Sequence, residues 1–99
     1  MKKYKISYSE KADKDISDLF DAIVFDYKEP DTAFKYVQGL IKSIEKLSTF
    51  PEAYSIRNNH SLLKYGLNVR RINYKKMAII YTIHSDVVFI RRIIPSSMI

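Results

Sequence analysis

Residues 67–83, LNVRRINYKKMAIIYTI, decide the fold because they predict two strands joined by a tight basic turn. The first strand is predicted over residues 67–72, and the second over Met77–His84, whose side chains alternate between two faces. The residues HSD, from His84, predict another tight turn, and residues 87–94 predict a further strand. Three successive strands with short connections favour an antiparallel meander.

The residues before this meander predict one short strand and two helices. Residues 4–8 alternate apolar and polar side chains, which is typical of a half-buried strand. Ser9 is suited to cap the helix that follows, in which apolar residues recur at helical spacing as far as Tyr27. Pro30 breaks this pattern and suits the first turn of a second helix, which ends before Phe50.

The predicted elements indicate an α+β fold with the order β-α-α-β-β-β. Only a few residues separate the two helices, so we expect them to form an antiparallel hairpin. The hairpin has an apolar face to bury, and we expect it to pack on one face of a mostly antiparallel four-stranded sheet. A length of 99 residues favours a single domain that spans residues 1–99.

The composition excludes several classes of protein. Cysteine is absent, which removes disulfides and cysteine metal sites and favours a reducing, cytoplasmic location. The basic N-terminus lacks the apolar run of a signal peptide, and no apolar run reaches the roughly twenty residues of a membrane helix. The two histidines, His60 and His84, lie far apart without cysteine or spaced carboxylates, so we expect neither a metal ion nor a cofactor.

Charge is distributed unevenly along the chain. Residues 1–53 carry nine Lys/Arg and ten Asp/Glu, whereas residues 54–99 carry eight Lys/Arg and only Asp86. The formal net charges of the two segments are therefore −1 and +7. A segment this basic favours a polyanionic partner, either a nucleic acid or an acidic protein.

Six of the cations lie on the predicted meander: Arg70, Arg71, Lys75, Lys76, Arg91 and Arg92. If the helices cover one face of the sheet, we expect cations on the other face to converge on one open surface. Because successive strand residues point in opposite directions, we expect at most one arginine of each adjacent pair there. Like charges this close repel each other, so the cluster predicts a surface that binds an anion.

This arrangement resembles the RelE/ParE family of bacterial type II toxins over nearly the whole chain. Four segments carry the resemblance in the family's order: YKISYSEKADKDISDLF from Tyr4, LIKSIEKLSTFPE from Leu40, VRRINYKKMAIIYTI from Val69 and VVFIRRI from Val87. They are similar to the family's opening strand and first helix, the end of its second helix, its basic strand and turn, and its last strand.

The resemblance implies a toxin that a co-expressed antitoxin neutralises. Some members of the family cut mRNA on the ribosome, and others poison DNA gyrase. The cutting reaction needs no metal, because Lys and Arg side chains hold the phosphate and stabilise charge while the RNA 2′-OH attacks. The sequence departs from the family nucleases at Ala78, where an Arg is common, and at residues 95–98, where a basic segment is common.

The resemblance and the basic cluster together indicate candidate site residues. Those predicted to be catalytic are Arg71, Lys75 and Arg92, with His60 as a proton carrier from the polar loop. Those predicted to bind nucleic acid are Arg70, Lys76, Lys64 and Tyr74, whose ring is expected to stack on a base. The remaining polar groups are interpreted as solvated: His84 at its turn, and Asp13, Asp15, Asp18 and Asp21 on the first helix.

Three functions remain open on the sequence alone. The basic strand and turn favour a ribosome-dependent mRNA endonuclease. The residue at Ala78 and the changed C-terminal segment favour a gyrase-poisoning toxin. A third possibility is a non-catalytic homologue that only binds the antitoxin. In each case we expect the partner to be a cognate antitoxin with an acidic, partly disordered segment.

Overall fold

Residues 3–99 are described by the computed structural model of the protein. Its main elements are β1 (Lys5–Tyr8), α1 (Glu10–Tyr27), α2 (Pro30–Glu45), β2 (Arg70–Tyr74), β3 (Met77–His84) and β4 (Val87–Pro95). The strand order in the sheet is β1-β4-β3-β2, with β1 parallel to β4 and the other neighbours antiparallel. The α+β class, the element order and the mostly antiparallel sheet are therefore confirmed.

The helix boundaries follow from local chemistry that the sequence shows. Ser9 caps α1, because its hydroxyl oxygen accepts a hydrogen bond of 3.0 Å from the Ala12 N–H. At the other end of α1, Lys28 adopts a left-handed conformation with φ 54°, which ends the helix. Pro30 occupies the first turn of α2, where its missing N–H costs nothing.

β2 lies later in the chain than predicted, from Arg70 to Tyr74 rather than over residues 67–72. Asn68 has φ 58°, a left-handed conformation that interrupts an extended chain, so the strand begins only after it. Lys75 also has a positive φ, of 53°, and with Lys76 it forms a two-residue turn that lets β2 continue to Tyr74.

The main core lies between the helical hairpin and one face of the sheet. Its most deeply buried members come from α2 and the two central strands: Leu40, Ile44, Ile79, Tyr81, Val88 and Ile90. Removing such side chains from water is the principal favourable contribution to folding. This face of the sheet is the one that the sequence predicted to be covered.

The other face of the sheet is partly covered, which corrects the expectation of one open surface. Residues His60–Tyr65 form a short 3-10 helix, and Leu62 from this helix is only 1% exposed. Leu62 belongs to a second buried cluster with Val69, Ile80 and Ile94. The polar loop before β2 is thereby anchored to the sheet, and cations on this face are confined to its uncovered parts.

A carboxylate on α1 completes the free edge of β4. β1 pairs with β4 only over Val87 to Ile90, so among residues 3–99 no strand lies on that side of the next residues of β4. The Asp15 carboxylate accepts a hydrogen bond of 2.9 Å from the Ile93 N–H. It also accepts hydrogen bonds of 2.7 and 3.0 Å from Nε and Nη2 of Arg92. The Asp15 side chain is 13% exposed, so its interpretation as a solvated surface carboxylate was wrong.

Ser9 strengthens the same junction with two hydrogen bonds to β4. The Ser9 hydroxyl donates a hydrogen bond of 2.8 Å to the Arg91 carbonyl, and the Ser9 N–H donates one of 3.0 Å to the Ile90 carbonyl. The start of α1 therefore replaces a neighbouring strand along this part of β4. Because buried main-chain polar groups need partners, this replacement lets β4 extend beyond the end of β1.

Replacing Asp15 with alanine (Asp15→Ala) should lower the free energy of unfolding by about 1.5–3 kcal/mol, because a charged hydrogen-bond acceptor is lost. The matched control is Asp18→Ala, because Asp18 lies on the same helix and pairs with Lys14 at an exposed position. Exposed ion pairs contribute little, so this control should behave like the parent protein. Urea denaturation of the three proteins measures the difference, and equal midpoints would contradict the structural role of Asp15.

The hydroxyl of Tyr81 makes the free energy of unfolding depend on pH in the alkaline range. It lies in the core and donates a hydrogen bond of 2.8 Å to the Pro51 carbonyl. Burial raises the pKa of Tyr81 above its ordinary value, since the tyrosinate would lose its hydration. Tyrosine in the unfolded chain ionises at about pH 10, so the contribution of the buried Tyr81 hydroxyl to stability is fully present below that pH and falls progressively above it.

The unfolding free energy of the parent protein should therefore fall more steeply between about pH 9 and pH 11 than that of Tyr81→Phe. Burial also raises the pKa of Tyr8 and Tyr36, so both proteins should keep part of the slope. Urea titrations at a series of pH values measure the two slopes. Parallel curves for the two proteins would contradict the assignment of this dependence to Tyr81.

Candidate functional site

The cations predicted to form one site occupy several places and have different partners. Arg70 turns towards residues 51–54, where its guanidinium donates hydrogen bonds to the carbonyls of Glu52, at 3.2 Å, and Tyr54. Arg71 is the next residue along β2, and its Nε donates a 3.0 Å hydrogen bond to Asn73 Oδ1. Arg70 thus fastens a loop to the sheet, whereas Arg71 lies along the outer edge of β2.

The turn between β2 and β3 packs against α2. Lys75 Nζ lies 5.2 Å from the ring centre of Tyr36 and 5.5 Å from that of Tyr74, which places the ammonium in cation–π contact with both. The two rings pack edge to face at 5.3 Å. A Cβ atom on Gly39 would lie 2.0 Å from the Tyr74 hydroxyl, so the ring occupies space that only glycine leaves.

These contacts determine which side chains of the turn are accessible to a ligand. Tyr74 is engaged by α2 and by Lys75, and stacking on a base would require its ring to leave these contacts. That role for Tyr74 stays a prediction. Lys76 is exposed at the tip of the turn, and His60 is exposed at the start of the 3-10 helix. Lys75 and Arg92 therefore have different partners in the fold, since Arg92 is bonded to Asp15.

A separate cleft does bring several cations together. We call it the basic cleft; it has a volume of about 660 Å³ and is lined by Ser9, Glu10, Lys11, Lys64, Tyr65, Phe89, Arg91 and Arg92. Of the residues predicted from the sequence, it contains Lys64 and Arg92 and lacks His60, Arg71 and Lys75.

A β-bulge explains why both arginines of the last strand reach this cleft. Ile90 pairs with Tyr81 and Arg92 pairs with Ile80, so Arg91 is an extra residue with no partner opposite it. A bulge interrupts the strict alternation of side chains along a strand. The expectation that at most one of Arg91 and Arg92 would belong to the same surface was therefore wrong.

Arg91 is held by a network that the sequence analysis missed. Its Nε donates a 3.1 Å hydrogen bond to Thr82 Oγ1, and its Nη2 lies 3.3 Å from His84 Nε2. Its guanidinium carbon lies 4.6 Å from the ring centre of Phe89. The alternation of side chains along β3 places Thr82 and His84 on the same face, and this was the signal in the sequence for the network. The signal was overlooked because His84 lies next to a turn.

Two hydrogen-bond partners face the Nε2 atom of His84. Thr82 Oγ1 accepts from Arg91, so its own hydrogen is free to donate to His84 Nε2, 2.8 Å away. Arg91 Nη2 can only donate a hydrogen bond to the same nitrogen, because a guanidinium group has no acceptor. In the tautomer with its ring hydrogen on Nδ1, His84 Nε2 accepts both of these hydrogen bonds. His84 is exposed, as the sequence indicated, and it also contacts Thr82 and Arg91.

The basic cleft has the chemistry of an anion site. Four cations line it, from Lys11, Lys64, Arg91 and Arg92, and Glu10 is the carboxylate among the lining residues. The hydrogen bond to Asp15 raises the pKa of Arg92, so Arg92 stays charged while serving the fold. Among residues 3–99, no group of three His, Asp or Glu side chains is placed to hold a metal ion. The side chains of the cleft can hold a phosphate or a carboxylate through charged hydrogen bonds.

Comparisons with known proteins place the chain in a family. A family profile described as "ParE toxin of type II toxin-antitoxin system, parDE" matches residues 6–99. A solved structure titled "Chromosomal ParDE TA system from P. aeruginosa" is similar, with a TM-score of 0.77 at 18% sequence identity. The match covers 93% of this chain and 95% of that chain. No curated protein sequence matches the chain.

Across residues 3–99, none of the helices has both the length and the apolar character needed to cross a membrane.

The family match covers nearly the whole chain, and the similar structure has the same fold. The resemblance to RelE/ParE toxins is thereby confirmed. The chain belongs to the family of ParE toxins of type II toxin–antitoxin systems, and this membership implies an antitoxin partner.

Proposed function

We propose that this toxin acts in the cytoplasm by binding and inhibiting DNA gyrase, and that its antitoxin releases this inhibition. The observation that carries the proposal is that residues predicted to be catalytic line different surfaces, since Arg92 lines the basic cleft and Arg71 lines a groove beside β2. Arg71 contacts Asn73, Lys75 contacts two tyrosines, and Arg92 contacts Asp15. Metal-free cleavage of RNA needs several cations around one phosphate, so the different partners and surfaces of the predicted set favour a toxin that acts by binding.

Two further observations support a binding toxin. Ala78 stands where family nucleases commonly carry an arginine, and it is fully buried at a position that pairs with Ile94. An arginine there would have to place its charge within the packed sheet face. The family match is to toxins described as ParE, the branch of the family for which the resemblance implies gyrase.

Purified toxin should inhibit DNA supercoiling by gyrase, and its expression without antitoxin should stop growth. The variants Arg71→Ala and Lys75→Ala should keep most of the activity, because neither residue supplies catalysis under this proposal. Lys42→Ala, on the exposed face of α2, is the control for loss of one surface charge. Supercoiling assays, together with primer extension on cellular mRNA, measure both outcomes. Cleaved mRNA with normal supercoiling would contradict the proposal.

The basic cleft supports a second candidate, cleavage of mRNA at a site rebuilt on Arg91. The imidazole of His84, which contacts Arg91 beside the cleft, can accept a proton from an RNA 2′-OH as the 2′-oxygen bonds to phosphorus. The adjacent guanidinium of Arg91 and the ammonium of Lys64 are positioned to stabilise the negative charge of the phosphorane. The bond between phosphorus and the 5′-oxygen then breaks, the leaving 5′-oxygen takes a proton from water, and a 2′,3′-cyclic phosphate remains on the upstream fragment.

If the cleft is catalytic, Arg91→Ala should slow mRNA cleavage by about a hundred- to thousandfold, as for loss of one preorganised donor. Lys42→Ala should cleave at the parent rate, because Lys42 lies outside the cleft. Because Arg91 also donates a hydrogen bond to Thr82, its substitution could affect the fold. Circular dichroism of each variant checks that it is folded. Measured cleavage that is equal in both variants would remove the cleft from catalysis.

A further inference from the structure

The cations of the basic cleft differ in whether the fold already uses their charge. The lining residues carry four cations and one carboxylate, a formal net charge of +3 (4 − 1). Arg92 is paired with the Asp15 carboxylate at 2.7 Å. The other three, Lys11, Lys64 and Arg91, form no ion pair within residues 3–99. Their charges are therefore open to an anionic ligand.

Arg91 is held in a fixed orientation beside the cleft. Its Nε and Nη2 groups contact Thr82 and His84, and its guanidinium lies over the ring of Phe89. Among residues 3–99, no hydrogen-bond acceptor meets its Nη1 group. A guanidinium that is oriented before binding loses little conformational entropy when it takes up a phosphate.

The unpaired cations come from three separate elements of the fold. Lys11 belongs to α1, Lys64 to the 3-10 helix over His60–Tyr65, and Arg91 to β4. The cleft between them has a volume of about 660 Å³, which is in the range of sites for whole ligands and exceeds the needs of one small ion. Several phosphates of one polyanion can therefore meet the three cations together.

The two aromatic rings of the cleft are engaged within the protein. Tyr65 packs against the second buried cluster, and Lys64 Nζ lies 5.2 Å from its ring centre. The ring of Phe89 contacts the guanidinium of Arg91 and meets the ring of His84 edge to face at 6.4 Å. Single-stranded nucleic acids are bound largely by stacking of bases on available rings. The cleft thus favours a duplex, which is bound through its phosphates.

We propose that the basic cleft binds the phosphate backbone of double-stranded DNA, so that the toxin contacts both gyrase and the DNA that gyrase holds. Arg91 donates charged hydrogen bonds to one phosphate, and Lys64 and Lys11 contact its neighbours as point charges. Base edges are not read, so binding is independent of sequence. The inference rests on the proposed inhibition of gyrase, an enzyme whose substrate is duplex DNA.

The salt dependence of DNA binding tests this site without gyrase. The probe is a short fluorescein-labelled DNA duplex of mixed sequence, and its affinity for the full-length toxin is measured by fluorescence anisotropy at a series of salt concentrations. The logarithm of the association constant should fall linearly with the logarithm of salt concentration, with a slope of about −2.7 for three phosphate contacts. An affinity that does not change with salt would overturn the proposal.

A double variant locates the DNA on the protein. Lys64→Gln/Arg91→Gln should weaken binding at low salt by about tenfold or more and make the slope less steep by about two. Lys35→Gln/Lys42→Gln is the matched control, because it removes the same charge from exposed positions of α2 outside the cleft. Equal affinities and slopes of the two double variants would place the DNA elsewhere and overturn the assignment.

A single variant tests the cleft without disturbing the contacts of Arg91. Lys64 is exposed and lies over the ring of Tyr65, so its substitution leaves the network of Arg91 intact. Lys64→Gln should make the salt slope less steep by about one, and Lys64→Arg should keep the parent slope, because it preserves the charge. A parent slope in Lys64→Gln would remove Lys64 from the DNA contact and contradict the site.

Competition distinguishes duplex DNA from RNA. Unlabelled single-stranded RNA of the same length should displace the labelled duplex less effectively than unlabelled duplex does. The reason is that a single strand has a lower charge density and that its bases find the rings of the cleft already engaged. RNA that displaces the duplex equally well or better would overturn DNA as the occupant and favour the mRNA candidate.

Supercoiling assays measure what the DNA contact contributes to inhibition. Lys64→Gln/Arg91→Gln should need about tenfold more toxin than Lys35→Gln/Lys42→Gln for the same inhibition of gyrase. Equal inhibition by the two double variants would overturn the contribution of the cleft. The binding measurements contain no gyrase, so the two proposals fail separately. A parent toxin that binds duplex DNA through the cleft and leaves supercoiling unaffected would contradict gyrase inhibition but support the DNA site.

Discussion

The hydrogen bonds of Asp15 to β4 determine how the two halves of this protein are joined. β1 is too short to cover the whole length of β4, and the start of α1 completes the edge instead, through Ser9 and Asp15. This arrangement places α1 against the last strand and leaves the second half of β4 extended. Because Asp15 bonds both a main-chain N–H and a guanidinium, it also determines the direction of Arg92.

The same junction shapes the basic cleft. The β-bulge at Arg91 lies where β1 ends and α1 takes over, and it brings two consecutive arginines to one side of the sheet. One of them serves mainly the fold, since it is paired with Asp15. The other is held by Thr82, His84 and Phe89 and presents its charge to the cleft. A basic composition therefore does not translate directly into an active site, because several cations of this chain have structural partners.

Particular elements show what could be predicted. The bounds of β3 were predicted correctly, because its alternation runs unbroken from Met77 to His84 and both ends are turns. The start of β2 was missed, because the left-handed conformation of Asn68 is not evident from a run of apolar and basic residues. Of the residues that line the basic cleft, Lys64 and Arg92 were predicted from the sequence. Arg91 also lines the cleft but was not predicted as a site residue, since a β-bulge leaves no periodic signal in the sequence. Asp15 was missed because its spacing along α1 matches that of solvated aspartates.

The sequence by itself determined the class of fold, the helix caps and the family of toxins to which the chain belongs. These properties depend on local periodicity, turn chemistry and the order of segments, all of which lie within short stretches of chain. The tertiary structure alone decided which cations face a ligand. Asp15 and Arg92 are separated by 77 positions, and Arg70 meets a carbonyl 16 positions away. Whether a charge is paired within the fold or open to a partner depends on such distant contacts, and residue spacing carries no record of them.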